Sequence, residues 1–292
     1  MLPRPIVLLS VAFVLCVVGL RPAAAADKSD KKASKKTDVE NPSGSVQALI
    51  KDLQLGAASK KITAAQELGN LGDEAKPAAP ALCKAMLDPA ENVMQAASEA
   101  LEKVEPDLQK PVIALLKDKT PQNQAKALTD LAALKDDGSA AAPVVAWFAR
   151  HNLTSKKGNR AIVPDAIVCL GKLSSGDAGT LQALSGYTRQ LNQGVPDVAI
   201  RRAAVEALGK IGAAHEETAK QVVPILLTAA ETSRARGVLP GALTPIRIAA
   251  LDALGGLGSS AKGTAPMLRR LKLDPDATIR QAATSALAKI EE

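Results

Sequence analysis

Aromatic side chains are almost missing from this chain, at four in 292 residues. Outside the first 26 residues only Trp147, Phe148 and Tyr187 remain. Sites for sugars, stacked bases and proline-rich peptides lean on aromatic platforms, so this scarcity counts against those ligands. Histidine is rarer still: His151 and His215 are the two copies, and neither has a second His or Cys at metal-ligand spacing. The chain holds no G-x-S-x-G nucleophile turn and no G-x-x-x-x-G-K-[ST] phosphate loop. A Ser-based triad would have to use one of those two isolated histidines. These gaps point away from hydrolytic and metal-dependent catalysis, and neither a metal nor a cofactor is expected.

Long apolar runs are also few, and the one that exists is short. Ile6–Leu20 is uncharged and follows the single cation Arg4; Arg21-Pro22 and Ala23–Ala26 come next. A positive start, an apolar middle and an A-x-A end make a signal peptide, with cleavage expected after Ala26. Fifteen residues fall short of the roughly 20 needed to cross a bilayer, so no membrane span is expected after cleavage. The leader takes with it Arg4 and Arg21 and no acid, which lowers the formal charge from +7 to +5. That excess is too mild for a nucleic-acid binder, and export argues against that role as well. The expected location is periplasmic or extracellular. Residues 27–44, DKSDKKASKKTDVENPSG, have no large apolar side chain except Val39 and read as a disordered Lys-rich linker.

Cysteine is scarce too. Cys83 and Cys169 remain after cleavage, in an oxidising compartment that favours bridges. The repeat described next places them about two layers apart. With layers roughly 8–10 Å thick, they lie beyond the ~4.4–6.8 Å that a disulfide tolerates. Both read as buried small hydrophobes.

What the chain does contain is one helix written seven times. Leu68, Leu101, Leu131, Leu170, Leu208, Leu254 and Leu287 anchor the copies. Four residues before each stands an alanine, from Ala64 to Ala283, and three residues after each stands an aliphatic, from Leu71 to Ile290. Offsets of −4, 0 and +3 mark one face of an α-helix. The spacings, 33, 30, 39, 38, 46 and 33, are those of a solenoid. A second helix, several times with proline near its start (Pro80, Pro111, Pro143, Pro224, Pro266), precedes each copy.

The expected pairs are 45–55 with 59–72, 77–87 with 91–104, 107–118 with 121–135, and 139–150 with 160–174. The others are 177–192 with 197–212, 216–231 with 244–258, and 262–273 with 276–291. This unit resembles the HEAT repeat, in the short Ala-rich variety named after phycobilisome lyases. The resemblance covers residues 45–292 and implies an all-α fold, a right-handed α-α superhelix of about seven helical pairs. The −4, 0 and +3 residues are then core, because no pair buries its apolar face alone and the copies must stack.

The HEAT pattern often has a basic residue seven before the anchor and an acid in the preceding turn. Lys61, Arg201, Arg247 and Arg280 fill the basic position, with Asp197 and Asp276 four residues ahead of Arg201 and Arg280. A turn-bracing ladder is expected, broken at Met94, Gln124 and Val163. Lys103, Lys172, Lys210 and Lys289 complement helix C-termini. A HEAT-repeat hydroxylase holds di-iron through several His-Glu pairs; this chain has one, His215-Glu216, so that chemistry is not carried over.

The three long spacings add residues at one place, before a second helix, near 150–160, 188–198 and 231–245. Insertions at one point of the repeat map to one edge of a solenoid. They carry Arg150, Lys156, Lys157, Arg160, Arg189, Arg234 and Arg236 against Asp197 and Glu231. This basic rim is the candidate binding surface, for an acidic protein partner. Trp147 and Phe148 beside the first insertion are a candidate aromatic anchor; the competing expectation is that they pack that insertion. Asn152-Leu153-Thr154 is a glycosylation sequon.

The expected function is a non-catalytic protein-binding scaffold or adaptor. Alternatives are an accessory subunit or weak enzyme of the HEAT-like lyase or hydroxylase kind, and a structural part of an envelope assembly. Self-association is open.

Overall fold

Seven copies of a helix that each need a partner predict a stack of antiparallel pairs, and the computed structural model is such a stack. It describes residues 42–189, 191–192, 195–232 and 241–292. The expected signal peptide 1–26 lies outside these residues, as does the linker 27–44 up to residue 41; Pro42 already belongs to the first helix. Glu40–Glu292 form one compact unit.

Among the described residues there are fourteen α-helices. The first helices of the pairs, the A row, are α1 (Pro42–Leu55), α3 (Ala79–Ala85), α5 (Pro106–Lys117), α7 (Ala142–Thr154), α9 (Ala178–Tyr187), α11 (Glu216–Glu231) and α13 (Ala265–Leu271). The second helices, the B row, are α2 (Ala58–Leu71), α4 (Glu91–Val104), α6 (Pro121–Leu134), α8 (Val163–Lys172), α10 (Val198–Ala214), α12 (Thr244–Gly256) and α14 (Ala277–Glu291). One departure from the all-helical expectation is a minimal antiparallel hairpin inside the second insertion. There Leu191–Asn192 (β1) pairs with Val195–Pro196 (β2), so the helix expected to reach 192 stops at Tyr187.

The repeated residues are the core. All seven anchor leucines and all seven alanines at −4 are buried; at +3, Leu71 and Leu134 are half-buried and the other five buried. The residues after and before the anchors interlock adjacent B helices. Gly69, Gly171, Gly209 and Gly255 stand one after the anchor, and each lies against the alanine one before the next anchor: Ala100, Ala207, Ala253 and Ala286. A Cβ on Gly171 would sit 2.7 Å from the Ala207 Cα, so glycine is required there by the close approach.

Two of the six junctions lack that pair: Ala132 and Cys169 fill the two positions between α6 and α8, and between α4 and α6 the interlock fails outright. Glu102 takes the glycine position on α4 and is exposed; Asp130 takes the alanine position on α6 and pairs with exposed Lys126 at 2.7 Å. These are the residues of a capped end, as on the outward face of α2, where Thr63 and Glu67 are exposed. Accordingly α4 and α6 scarcely touch; α5 lies against both, and α3 meets α7 directly.

The connector explains the displacement. The A helices α3, α7 and α13 are reached through seven-residue 3₁₀ segments: Gly72–Ala78, Lys135–Ala141 and Gly258–Thr264. At about 2.0 Å per residue these carry the chain some way back to the A row. A single non-helical residue, Glu105, joins α4 to α5, and a single extended residue, His215, joins α10 to α11. One residue spans only about 3.5 Å. The rows open at both places: α4 from α6, and α9 from α11.

Candidate functional site

The described ends of the three insertions lie near one another. The first ends in a 3₁₀ turn, Arg160–Ile162, and the Arg160 guanidinium grips Asp197 at the end of the second, through Nε at 3.1 Å and Nη2 at 2.8 Å. Asp197 also caps α10 by accepting from the Ile200 N–H. The second and third insertions begin and end on the two sides of one cleft. Thr188 and Arg189 face Thr232 and Leu243 across it.

This cleft occupies the gap between α9 and α11 and holds about 290 Å³. Its apolar lining comes from Ile225, Ala229, Leu243 and Ile246. Its charged lining is Arg189 and Arg201, and no acidic side chain lines it. Arg201 is positioned by a bond from Nη2 to the Arg189 carbonyl, 3.0 Å. Burial pulls the Arg201 pKa down from its ordinary value, and the charge of Asp197 opposes that.

The rim residues separate into groups. Arg189 lines the cleft and is exposed. Arg150, Lys156 and Lys157 are exposed at the first insertion and do not line the cleft. Arg160 is half-buried and tied to Asp197, which makes it a brace between repeats and corrects its assignment to the free rim. Arg234 and Arg236 lie outside the described residues.

The aromatic pair also divides. Phe148 is buried and packs in the core, so it cannot anchor a partner. Trp147 is 40% exposed and stacks on His151, ring centroids 4.9 Å apart. Asn152, the sequon residue, is buried: its Nδ2 donates to the Phe148 carbonyl and its Oδ1 accepts from the Asn159 N–H. A side chain so held pins the insertion turn and offers no free amide to a glycosyl donor.

The bracing ladder runs between repeats rather than within one turn. Lys61 pairs with Asp88 at 2.7 Å and Arg247 with Asp274 at 2.6 Å. Both aspartates sit in a Leu-Asp-Pro turn, 87–89 and 273–275, whose recurrence is the signal that the sequence reading missed. In each turn the other carboxylate oxygen accepts from the N–H two residues on. Asp276 and Arg280, expected as a pair, turn elsewhere: Asp276 takes the Thr244 hydroxyl, and Arg280 donates to the carbonyls of Asp274 and Pro275. At the α4–α6 junction Met94 stands where the cation belongs, and Asp118 turns to Thr120 and Asn123.

The two cysteines and His215 have structural places. Cys83 and Cys169 are unbridged and buried, and burial pushes each thiol up to about 12. His215 Nε2 lies 2.7 Å from the Ser174 carbonyl and ties the start of α11 to the turn between α8 and α9. Among the described residues no three His, Cys, Asp or Glu gather as a metal site would require. No described helix is long and apolar enough to cross a membrane.

Residues 200–232 match the family model of the PBS lyase HEAT-like repeat, in agreement with the resemblance read from the sequence. They comprise most of α10 and all of α11. No curated protein matches this chain. Among solved structures, an engineered protein is similar over 85% of this chain and 96% of its own, at 17% identity and a TM-score of 0.39. A second engineered protein is 19% identical over 85% of this chain and 69% of its own, with a TM-score of 0.42. A computationally designed armadillo repeat protein for modular peptide recognition is 17% identical over 84% and 99%, with a TM-score of 0.30.

Proposed function

We propose that this protein is a non-catalytic scaffold, exported from the cytoplasm, that holds another protein along the edge formed by the three insertions. The observation that carries this reading is the convergence of the insertions. Arg160 ties the first to the second, and the second and third flank one cleft with cationic and apolar lining. A stacked array presents such an edge on a rigid support. The chemistry of the interior agrees, since thiols held at about 12 are not nucleophiles at neutral pH. Exposed Arg150, Lys156, Lys157 and Arg189 favour an acidic partner and speed its arrival.

The test is capture by immobilised residues 27–292 from an envelope extract of the source organism. A defined protein should be retained at low salt and released at high salt. The quadruple variant with Arg150, Lys156, Lys157 and Arg189 each changed to Glu should lose it. Equal retention by the variant removes the edge from the reading, and no retained protein removes the scaffold. Export is checked by the N-terminal residue of the protein from fractionated cells, expected to be Asp27.

A further inference from the structure

We infer that the cleft between α9 and α11 receives an acidic side chain and a neighbouring aliphatic side chain from an extended segment of the partner protein. This rests on the scaffold reading and gives the partner its chemistry.

Charge decides the first half. The cleft has two guanidinium groups and no carboxylate among its lining residues, so it complements an anion. Arg189 is exposed at the site and makes no ion pair among the described residues. Arg201 is partly withdrawn from water but already feels the opposite charge of Asp197, so Arg189 contributes the larger share of the attraction.

The floor decides the second half. Ile225, Leu243 and Ile246 leave an apolar surface on which an aliphatic side chain is removed from water. The volume, about 290 Å³, lies at the low end of small-molecule sites, roughly 300–1,000 Å³. It suits a pair of side chains better than a larger ligand.

The hydroxyls separate a peptide from a simple acid. Thr188, Thr228 and Thr232 each donate the hydroxyl hydrogen to a helix carbonyl, those of Ser185, Pro224 and Thr228. What they offer the cleft is therefore oxygen lone pairs, which accept. A peptide brings backbone N–H groups to meet them, whereas an ionised carboxylic acid brings no donor.

The test follows the Ile225 and Ile246 methyl resonances of the 27–292 chain, labelled with ¹³C at isoleucine δ1. The probe is acetyl-Gly-Ser-Glu-Leu-Ser-Gly-amide. Its controls replace Glu with Lys or Leu with Ser, and 3-methylbutanoate serves as the simple acid. The Glu-Leu peptide should move both methyls saturably, and Arg189→Glu should weaken it about tenfold or more. Arg189 is exposed, so this variant is expected to fold, and its unchanged remaining methyl spectrum would show it.

The inference is overturned if the Lys or Ser peptide moves the methyls equally, or if none moves them. It is also overturned if 3-methylbutanoate binds as tightly as the peptide, which would make the cleft a small-acid site. Capture of a partner by the scaffold while the peptide leaves both methyls unmoved sinks this inference alone. Absence of any captured partner sinks the reading beneath it.

Discussion

Arg247 and Asp274 stand 27 residues apart and meet at 2.6 Å with both side chains almost wholly buried. Arg247 Nε also donates to the Ala230 carbonyl, so one guanidinium joins α11, α12 and the turn before α14. Lys61 and Asp88 repeat the arrangement at the other end of the chain with the same separation. Removing one partner of a buried pair leaves the other uncompensated, which costs about 3–5 kcal/mol. Arg247→Met should lower unfolding stability by about that much. Lys61→Met, at a more exposed pair, should cost about 1 kcal/mol. Urea titration of both variants measures the contrast, and equal losses would refute it.

Acid should weaken the same turns. Hydrogen bonds from Lys61 to Asp88 and from Arg247 to Asp274 hold both carboxyls below their ordinary value. Hydrogen bonds from Thr278 and Thr244 bring Asp276 to about 2. Groups more acidic in the folded state stabilise it above the unfolded value, near ~3.9, and lose that contribution as pH falls toward the folded one. The urea midpoint should therefore drop between about pH 5 and pH 2. Asp274→Asn should flatten the drop, and an unchanged profile would count against the linkage.

Two helical glycines should respond to alanine with opposite signs. Gly171 has no room, its added Cβ meeting the Ala207 backbone at 2.7 Å. Gly171→Ala should destabilise by about 1–3 kcal/mol, as overpacked cores do. Gly256 in α12 has nothing within 4 Å. Gly256→Ala should stabilise by about 0.5–1 kcal/mol, the ordinary helix preference. Thermal melts of the two variants decide it.

Lys135 has φ +51° and ψ −126°, a backbone region suited to glycine. The equivalent residues opening the other two seven-residue 3₁₀ segments are Gly72 and Gly258, at φ +55° and +52°. Lys135→Gly should raise stability by about 1 kcal/mol, the relieved strain exceeding the entropy that glycine loses. A lower melting temperature for this variant would contradict it.

The α4–α6 junction should be the weak point of the stack. Of the two junctions without the Gly–Ala interlock it is the one where the B helices scarcely touch, and it has no cation opposite Asp118. Stability in repeat arrays is a sum of units and nearest-neighbour interfaces, so the array should part there first. Hydrogen exchange should show residues 42–104 losing protection at lower denaturant than 142–291. Restoring the interlock with Glu102→Gly and Asp130→Ala should not fuse the two steps, because α5 remains between the helices.

Much of this was legible in the chain. The −4, 0 and +3 positions named the core residue by residue, because a helix returns to one face every three to four residues and water excludes that face wherever it recurs. The insertions announced the edge by length alone. The cysteines were readable as unbridged from the layer spacing. The roles of Arg160 and Phe148 were not legible, nor was the cleft itself.

Sequence by itself determined the repeat, its core and the edge on which the insertions fall. These depend on local periodicity, which one helix shows without its neighbours. Tertiary structure alone decided which cation meets which carboxylate, and where the rows part. Those depend on how far a connector carries the chain. Glu105 and His215 are single residues too short to return it to its row, and the gap that opens at α9 and α11 is the cleft.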